Sequence, residues 1–183
     1  MDNAPPHTAD LLARLGHMSM GSRLKRLGEA MQSGVSAQLA RRGVAVQPAQ
    51  VPLLVALEEC GPMTVGALGA HIGISQPGVT RALARLEALN LVAPADAGTD
   101  RRRRPVRLTE AGARLIRTLQ ADLLPAVDRA VRTLCAEPGG DFLSTITALE
   151  SALRRTPLDA RIDRASSSRK GDALPHDDPT HDR

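Results

Sequence analysis

The chain holds a single aromatic residue, Phe142, with no tyrosine and no tryptophan. Platforms for single-stranded nucleic acid stack bases on several aromatic faces, so that mode of binding is all but excluded. Cysteine is nearly as scarce. Cys60 and Cys135 fit no Cys-x-x-Cys pattern and no disulfide framework, which implies a reduced, cytoplasmic setting and two small core residues. No stretch of about 18 apolar residues occurs, so no membrane span is expected. The first residues include Pro5 and Pro6 and lack the apolar run of a signal peptide. Strand-favouring β-branched and aromatic residues are few, which argues against a β-sandwich. Lysine is confined to Lys25 and Lys170. The remaining basic residues are Arg, whose planar fork of donors suits phosphate, although GC-rich coding gives the same bias.

What is present favours helices. A length of 183 residues suits one domain with tails. The core must be built from Leu, Val, Ile, Met and Ala. Residues 1–8 read as a flexible start. From about Asp10 to Arg42 one helix is predicted, because Met20, Leu24, Leu27, Met31, Val35 and Leu39 recur at steps of three and four. Gly21 and Gly34 are its weak points, and Gly43 ends it. A second helix carries Val51, Leu54, Val55 and Leu57 and stops at Gly61-Pro62. Thr64 is placed to cap a short helix containing Val65, Leu68 and Ile72. Gly73 lies in a three-residue turn, and Ser75 is placed to cap the next helix, with Pro77 in its first turn. That helix carries Val79, Leu83, Leu86 and Leu89 on one face. Asn90 stands at a chain reversal, where a left-handed conformation is needed.

Leu91-Val92 and Val106-Arg107-Leu108 flank a polar loop and read as a β-hairpin, with Pro105 expected at an edge or a non-bonded site. Thr109 is placed to cap a helix of about 27 residues, roughly 40 Å long, carrying Ala113, Ile116, Leu119, Leu123, Val127, Ala130 and Leu134. So small a domain cannot cover it fully, and Pro125 should kink it. After Pro138-Gly139-Gly140 a last helix holds Phe142, Ile146, Leu149 and Leu153. Beyond residue 156 the chain is low in apolar content and is expected to be disordered. His7, His17, His71, His176 and His181 are scattered, so no metal site and no cofactor are expected, and His71 is read as a surface or DNA-facing group.

Charge is unevenly spread. Residues 72–118 carry a net +5, whereas the rest of the chain carries −1. A concentrated basic segment points to a polyanion or to an Arg-rich solvated face. The spacing of two helices about a glycine turn is that of a helix-turn-helix, whose second helix enters the major groove with its N-terminal residues leading. Those residues are Ser75, Gln76, Pro77, Gly78, Thr80, Arg81 and Arg85. Gln pairs with adenine, Ser and Thr bond several base edges, Arg pairs with guanine or phosphate, and Gly78 admits close backbone approach. Thr64 begins a helix whose free N–H groups suit a phosphate. Arg101, Arg102, Arg103 and Arg104 cluster in the hairpin loop, within reach of a neighbouring minor groove. The same helix pair also serves elsewhere as a plain packing unit.

The segment GISQPGVTRALARLEALNLV resembles the recognition helix and first wing strand of the MarR family of bacterial transcriptional regulators. DRRRRPVRLTEAG resembles the family's wing and the start of its next helix. The looser likeness spans about residues 10–155. It implies a mainly α protein with a small β-hairpin wing, a winged helix-turn-helix flanked by dimerisation helices. The implied organisation is an N-terminal dimerisation helix at 9–46, a DNA-binding domain at 47–108, C-terminal dimerisation helices at 109–156 and a tail at 157–183. It further implies a homodimer on double-stranded DNA, an Asp100 that orients Arg102 into the minor groove, and a small-molecule effector whose binding residues are not legible. Pro105 and Asn90 depart from the family pattern, where an apolar residue and Gly are usual. The peroxide-sensing scheme of some relatives does not carry over, because no Cys precedes Cys60 and no Tyr is present. The expected function is a homodimeric regulator, a repressor on a pseudo-palindromic operator. The alternative is a winged-helix module for non-specific DNA or protein interaction. No nucleotide loop, nucleophile elbow or acid/base pair suggests an enzyme.

Overall fold

The structure is a computed structural model that describes residues 10–95 and 105–168. The element order is α1 (Leu11–Arg14), a 3-10 turn (Gly16–Ser19), α2 (Met20–Arg41), a second 3-10 turn (Pro48–Gln50), α3 (Val51–Cys60), α4 (Val65–Ile72), α5 (Gln76–Ala88), β1 (Val92–Pro94), β2 (Val106–Leu108), α6 (Glu110–Ala121), α7 (Leu123–Ala136), α8 (Phe142–Arg155) and α9 (Leu158–Ser168). The mainly helical architecture with one small antiparallel sheet is the expected one. Two units divide the chain, with the boundary at Val127–Asp128, inside α7.

The first unit is organised around α3. Its Leu53, Leu54 and Leu57 are buried together with Leu68 of α4, Val79, Leu83 and Leu86 of α5, Val92 of β1, and Ile116 and Leu119 of α6. Each such side chain contributes about 2 kcal/mol by leaving water. Leu39 of α2 and Val46 after it join the same core. The ends of the two expected dimerisation segments nearest the winged helix therefore complete its core. Two ion pairs tie the layers on the outside: Arg117 to Glu58 at 3.2 Å, and Arg42 to Asp122 at 3.0 Å.

The helix starts follow the sequence. Thr64 accepts from the Ala67 N–H, Thr109 from the Gly112 N–H, and Asp141 from the Ser144 N–H. Asn90 has φ 55°, in the left-handed region, and the Leu91 N–H returns to the Leu86 carbonyl, which closes α5 with a Schellman-type turn.

Three helix expectations need correction. The helix foreseen over residues 10–42 is broken between Leu15 and Ser19. Gly16 takes φ +55°, and the buried Ser19 hydroxyl donates to the Leu12 and Gly16 carbonyls, which satisfies groups that the break frees. The long helix after Thr109 divides at Asp122, one turn before Pro125. The proline has no N–H for the Ala121 carbonyl and its ring crowds that group, so the break lies upstream of the ring. The tail is not irregular throughout, because Leu158–Ser168 form α9. Arg161 of α9 donates to the Thr156 carbonyl just past α8 and to the Ala152 carbonyl, which also accepts the Thr156 N–H.

The second unit, from Asp128 onward, holds most of α7 with α8 and α9. α8 buries none of its residues. Phe142, Leu143, Leu149 and Leu153 are exposed, as are Leu158 and Ile162 of α9. In the first unit Leu11, Leu15, Met18, Met20, Leu24 and Leu27 are likewise exposed.

Candidate nucleic-acid interface

α4 and α5 form the helix-turn-helix. Gly73 closes α4 at φ +79°, a left-handed conformation that suits glycine, and its N–H and that of Ile74 both reach the Gly69 carbonyl. α5 then runs with Val79, Leu83 and Leu86 facing the core. Its other face carries Ser75, Gln76, Pro77, Thr80, Arg81 and Arg85, all exposed, with Gly78 half-buried. The structure thus brings the candidate major-groove residues onto one open face.

Their local geometry differs in detail. Ser75 occupies the N-cap position, yet its hydroxyl makes no capping bond. A Cβ on Gly78 would stand 3.3 Å from Ser75 Oγ, so the hydroxyl lies over Gly78 instead. Gln76 lies back against α4, its Nε2 3.2 Å from where a Cβ on Gly66 would be. The Thr80 hydroxyl donates to the Gln76 carbonyl at 3.0 Å, which leaves its lone pairs for an outside donor. Arg81 and Arg85 form no ion pair among the described residues. Thr64 is half-buried at the start of α4, with its hydroxyl oxygen engaged by Ala67.

The hairpin is antiparallel, with Val92 opposite Leu108, Ala93 opposite Arg107 and Pro94 opposite Val106. Met63 adds a one-residue bridge on the other edge, exchanging both backbone bonds with Val106 at 3.0 and 2.8 Å. Val106 thus spends its N–H and C=O on Met63. Pro94, opposite Val106 across the other edge, has no partner to disappoint there. Pro105 lies one residue outside β2 and accepts from the Ala95 N–H at 2.8 Å, so its missing donor costs the ladder only a return bond. Asp100, Arg101, Arg102, Arg103 and Arg104 lie outside the described residues, as do residues 1–9 and 169–183.

Two features of this region were not singled out in the sequence, and one expectation, a core Cys60, is corrected. Met63 reads as part of a helix stop, and only the distant Val106 makes it a strand residue. Arg107 is exposed on β2 between the half-buried Val106 and Leu108, an alternation that could have flagged it as an outward cation beside the wing. Cys60 is exposed rather than a core residue, because it falls at the last position of α3, past the apolar face; its Sγ lies 4.0 Å from Nε2 of the exposed His71. Among the described residues no group of three or more His, Cys, Asp or Glu is placed to hold a metal ion.

The MarR family model matches residues 46–103, from the end of the α2–α3 connection into the wing. No curated protein sequence matches the chain. Among solved structures, the chain is similar to the transcriptional regulator PA4135, at 25% identity and a TM-score of 0.56, over 75% of this chain and 97% of that one. A mutant MarR from E. coli complexed with operator DNA shares the fold at 17% identity and a TM-score of 0.59, over 81% of this chain and 99% of that one. The S. aureus MepR–DNA complex does so at 17% identity and a TM-score of 0.57, over 74% and 95%. The helix-turn-helix, the bridged hairpin and the matched segment agree: residues 46–103 match the MarR family model, and the chain shares the winged-helix fold of these structures.

Proposed function

We propose that the protein is a sequence-specific, double-stranded DNA-binding regulator that acts as a homodimer on pseudo-palindromic operators, as a repressor released by a small-molecule effector. The observation that carries the reading is the outward face of α5. Arg81 and Arg85 stand away from the buried Val79, Leu83 and Leu86, Gln76 and Thr80 are exposed at the start of the helix, and neither arginine forms an ion pair among the described residues. A helix presenting such a face at its N-terminal half is built for base edges and phosphates. Two fold relatives, the E. coli MarR mutant and S. aureus MepR, were solved with DNA, which supports the same use of the fold here. Thr64 and the wing arginines Arg101 to Arg104, with Asp100 orienting Arg102, would add phosphate and minor-groove contacts. Dimerisation is supported by the apolar side chains that each unit leaves exposed, which a second copy would cover. The protein needs no cofactor for this role and is not read as an enzyme. Among the described residues no helix is long and apolar enough to cross a membrane, and a cytoplasmic location fits a partner that is DNA.

Selection of genomic fragments at physiological salt, with excess random competitor, tests this. Recovery of an inverted repeat with half-sites about 34 Å apart supports the dimeric regulator. Fragments with no shared motif, bound with a steep salt dependence, would overturn it in favour of a non-specific module.

A further inference from the structure

Gln50 is a buried amide at 3% relative exposure, in the connection that carries the chain from α2 into α3. Burial of an amide is costly unless its polar atoms find partners. Gln50 uses both ends. Oε1 accepts from the Gln47 N–H at 2.9 Å, which closes a capping box on the 3-10 turn. Nε2 donates to the Ala82 carbonyl at 3.2 Å, 32 residues away in sequence and in the middle of α5. Ala82 follows Arg81 and precedes Arg85 on the helix that would read DNA.

The second bond is not explained by the needs of Ala82. Its carbonyl lies inside α5, with a helical N–H available at Leu86, so it is no orphan of a helix end. A methionine or leucine at position 50 would fill the same space without an amide to satisfy. The buried cluster to which Leu54, Val79, Leu83 and Leu86 all belong is held by a non-directional force that tolerates small rotations and slips of α5. A hydrogen bond to one carbonyl does not, because its strength falls steeply with angle.

We propose that Gln50 is a positioning residue for sequence recognition: it locks the rotation and axial register of α5 against the start of α3, and so aims Gln76, Arg81 and Arg85. This rests on the DNA-reading role proposed above. Two variants separate the clamp from the cap. Gln50→Met removes both bonds at similar volume. Gln50→Glu keeps an acceptor for Gln47 and, when ionised, loses the donor to Ala82.

Affinity is measured for the inverted-repeat fragment recovered by selection and for a random duplex of equal length. Amide exchange is measured on free protein over residues 83–86 of α5 and 116–119 of α6. In Gln50→Met the specific-to-random affinity ratio is expected to fall about tenfold with random binding unchanged. Exchange over 83–86 should quicken while 116–119 hold. Gln50→Glu, where folded, should behave alike. An unchanged ratio, an equal loss on both duplexes, or quickening of α5 and α6 together would overturn the proposal, the last marking a residue that only supports the fold. A wild-type protein with no sequence preference would sink the regulatory reading, and the exchange comparison in Gln50→Met then decides the clamp by itself.

Discussion

Gly112 lies so close to the Leu91 carbonyl that a Cβ at position 112 would stand 2.0 Å from its oxygen. The same oxygen accepts the Thr109 N–H at 3.0 Å, and the Thr109 hydroxyl donates to the Asn90 carbonyl at 2.7 Å. The entry to the wing and the start of α6 are thus one joint. Gly112→Ala should force that joint apart and cost about 1–3 kcal/mol or more in urea unfolding. A loss below about 0.5 kcal/mol would show that the joint relaxes freely.

On the outward face of α5, Arg81 and Arg85 have two roles open to them. A phosphate contact weakens binding on every sequence when lost and lowers the salt slope by about one. A base contact costs about 1–3 kcal/mol on the operator alone. Arg81→Ala and Arg85→Ala, titrated on operator and random duplexes at several salt concentrations, should each weaken operator binding. Unchanged affinity for both would remove α5 from the interface. Arg102→Ala tests the wing in the same assay and should weaken binding at physiological salt.

The exposed stripe of α8 predicts a partner. Leu149 and Leu153 lie one turn apart and are 39% and 47% exposed. Substitution at exposed positions changes monomer stability by about 0.5 kcal/mol at most. Leu149→Glu with Leu153→Glu should therefore leave the helix content intact while dissociating the proposed dimer. Size-exclusion with refractive-index detection reads the mass, since the chain has no Tyr or Trp to absorb. A dimer that survives both charges would place the interface elsewhere.

A pH effect is expected at the start of α8. The Ser144 hydroxyl and then its N–H, both donated to Asp141, hold that carboxyl below the ordinary value of 3.8. A depressed folded value means the ionised cap stabilises α8 fully above about pH 4, and the contribution is lost as pH falls through the folded value. Asp141→Asn keeps an acceptor for the N-cap without a charge to titrate. The wild type should lose α8 amide protection on acidification below pH 4 more steeply than Asp141→Asn. Parallel loss in the two proteins would remove Asp141 as the cause.

Much of this architecture is legible where a local rule decides it. Thr64 and Thr109 cap as their position suggests, Asn90 takes the left-handed turn, and the apolar stripe of α5 faces inward. The outward face is then what remains. Other features depend on contacts between distant residues. Met63 is a strand residue only because Val106 pairs with it. Gln50 is a polar core residue whose amide finds its partner in the Ala82 carbonyl, 32 residues away. The break at Gly16 is stabilised by Ser19 reaching back to Leu12, and nothing in the apolar periodicity marks it. The division at Asp122 was foreseen in kind, from Pro125, and missed in place by one turn.

Gly66 offers a way to move Gln76 without altering it. A Cβ at position 66 would stand 3.2 Å from Gln76 Nε2, the far end of a flexible side chain that can swing aside. Gly66 lies in the first turn of α4, where Ala is the better helix former by up to about 1 kcal/mol. Gly66→Ala should therefore fold at least as stably as the wild type while denying Gln76 its resting place against α4. If Gln76 reads a base edge, Gln76→Ala should cost about 1–3 kcal/mol on the operator and relax preference at one base pair in each half-site. Gly66→Ala should alter preference at that same pair and leave the others alone. An equal loss on operator and random duplexes in Gln76→Ala would instead make Gln76 a backbone contact. In that event Gly66→Ala should change overall affinity with no change of preferred sequence.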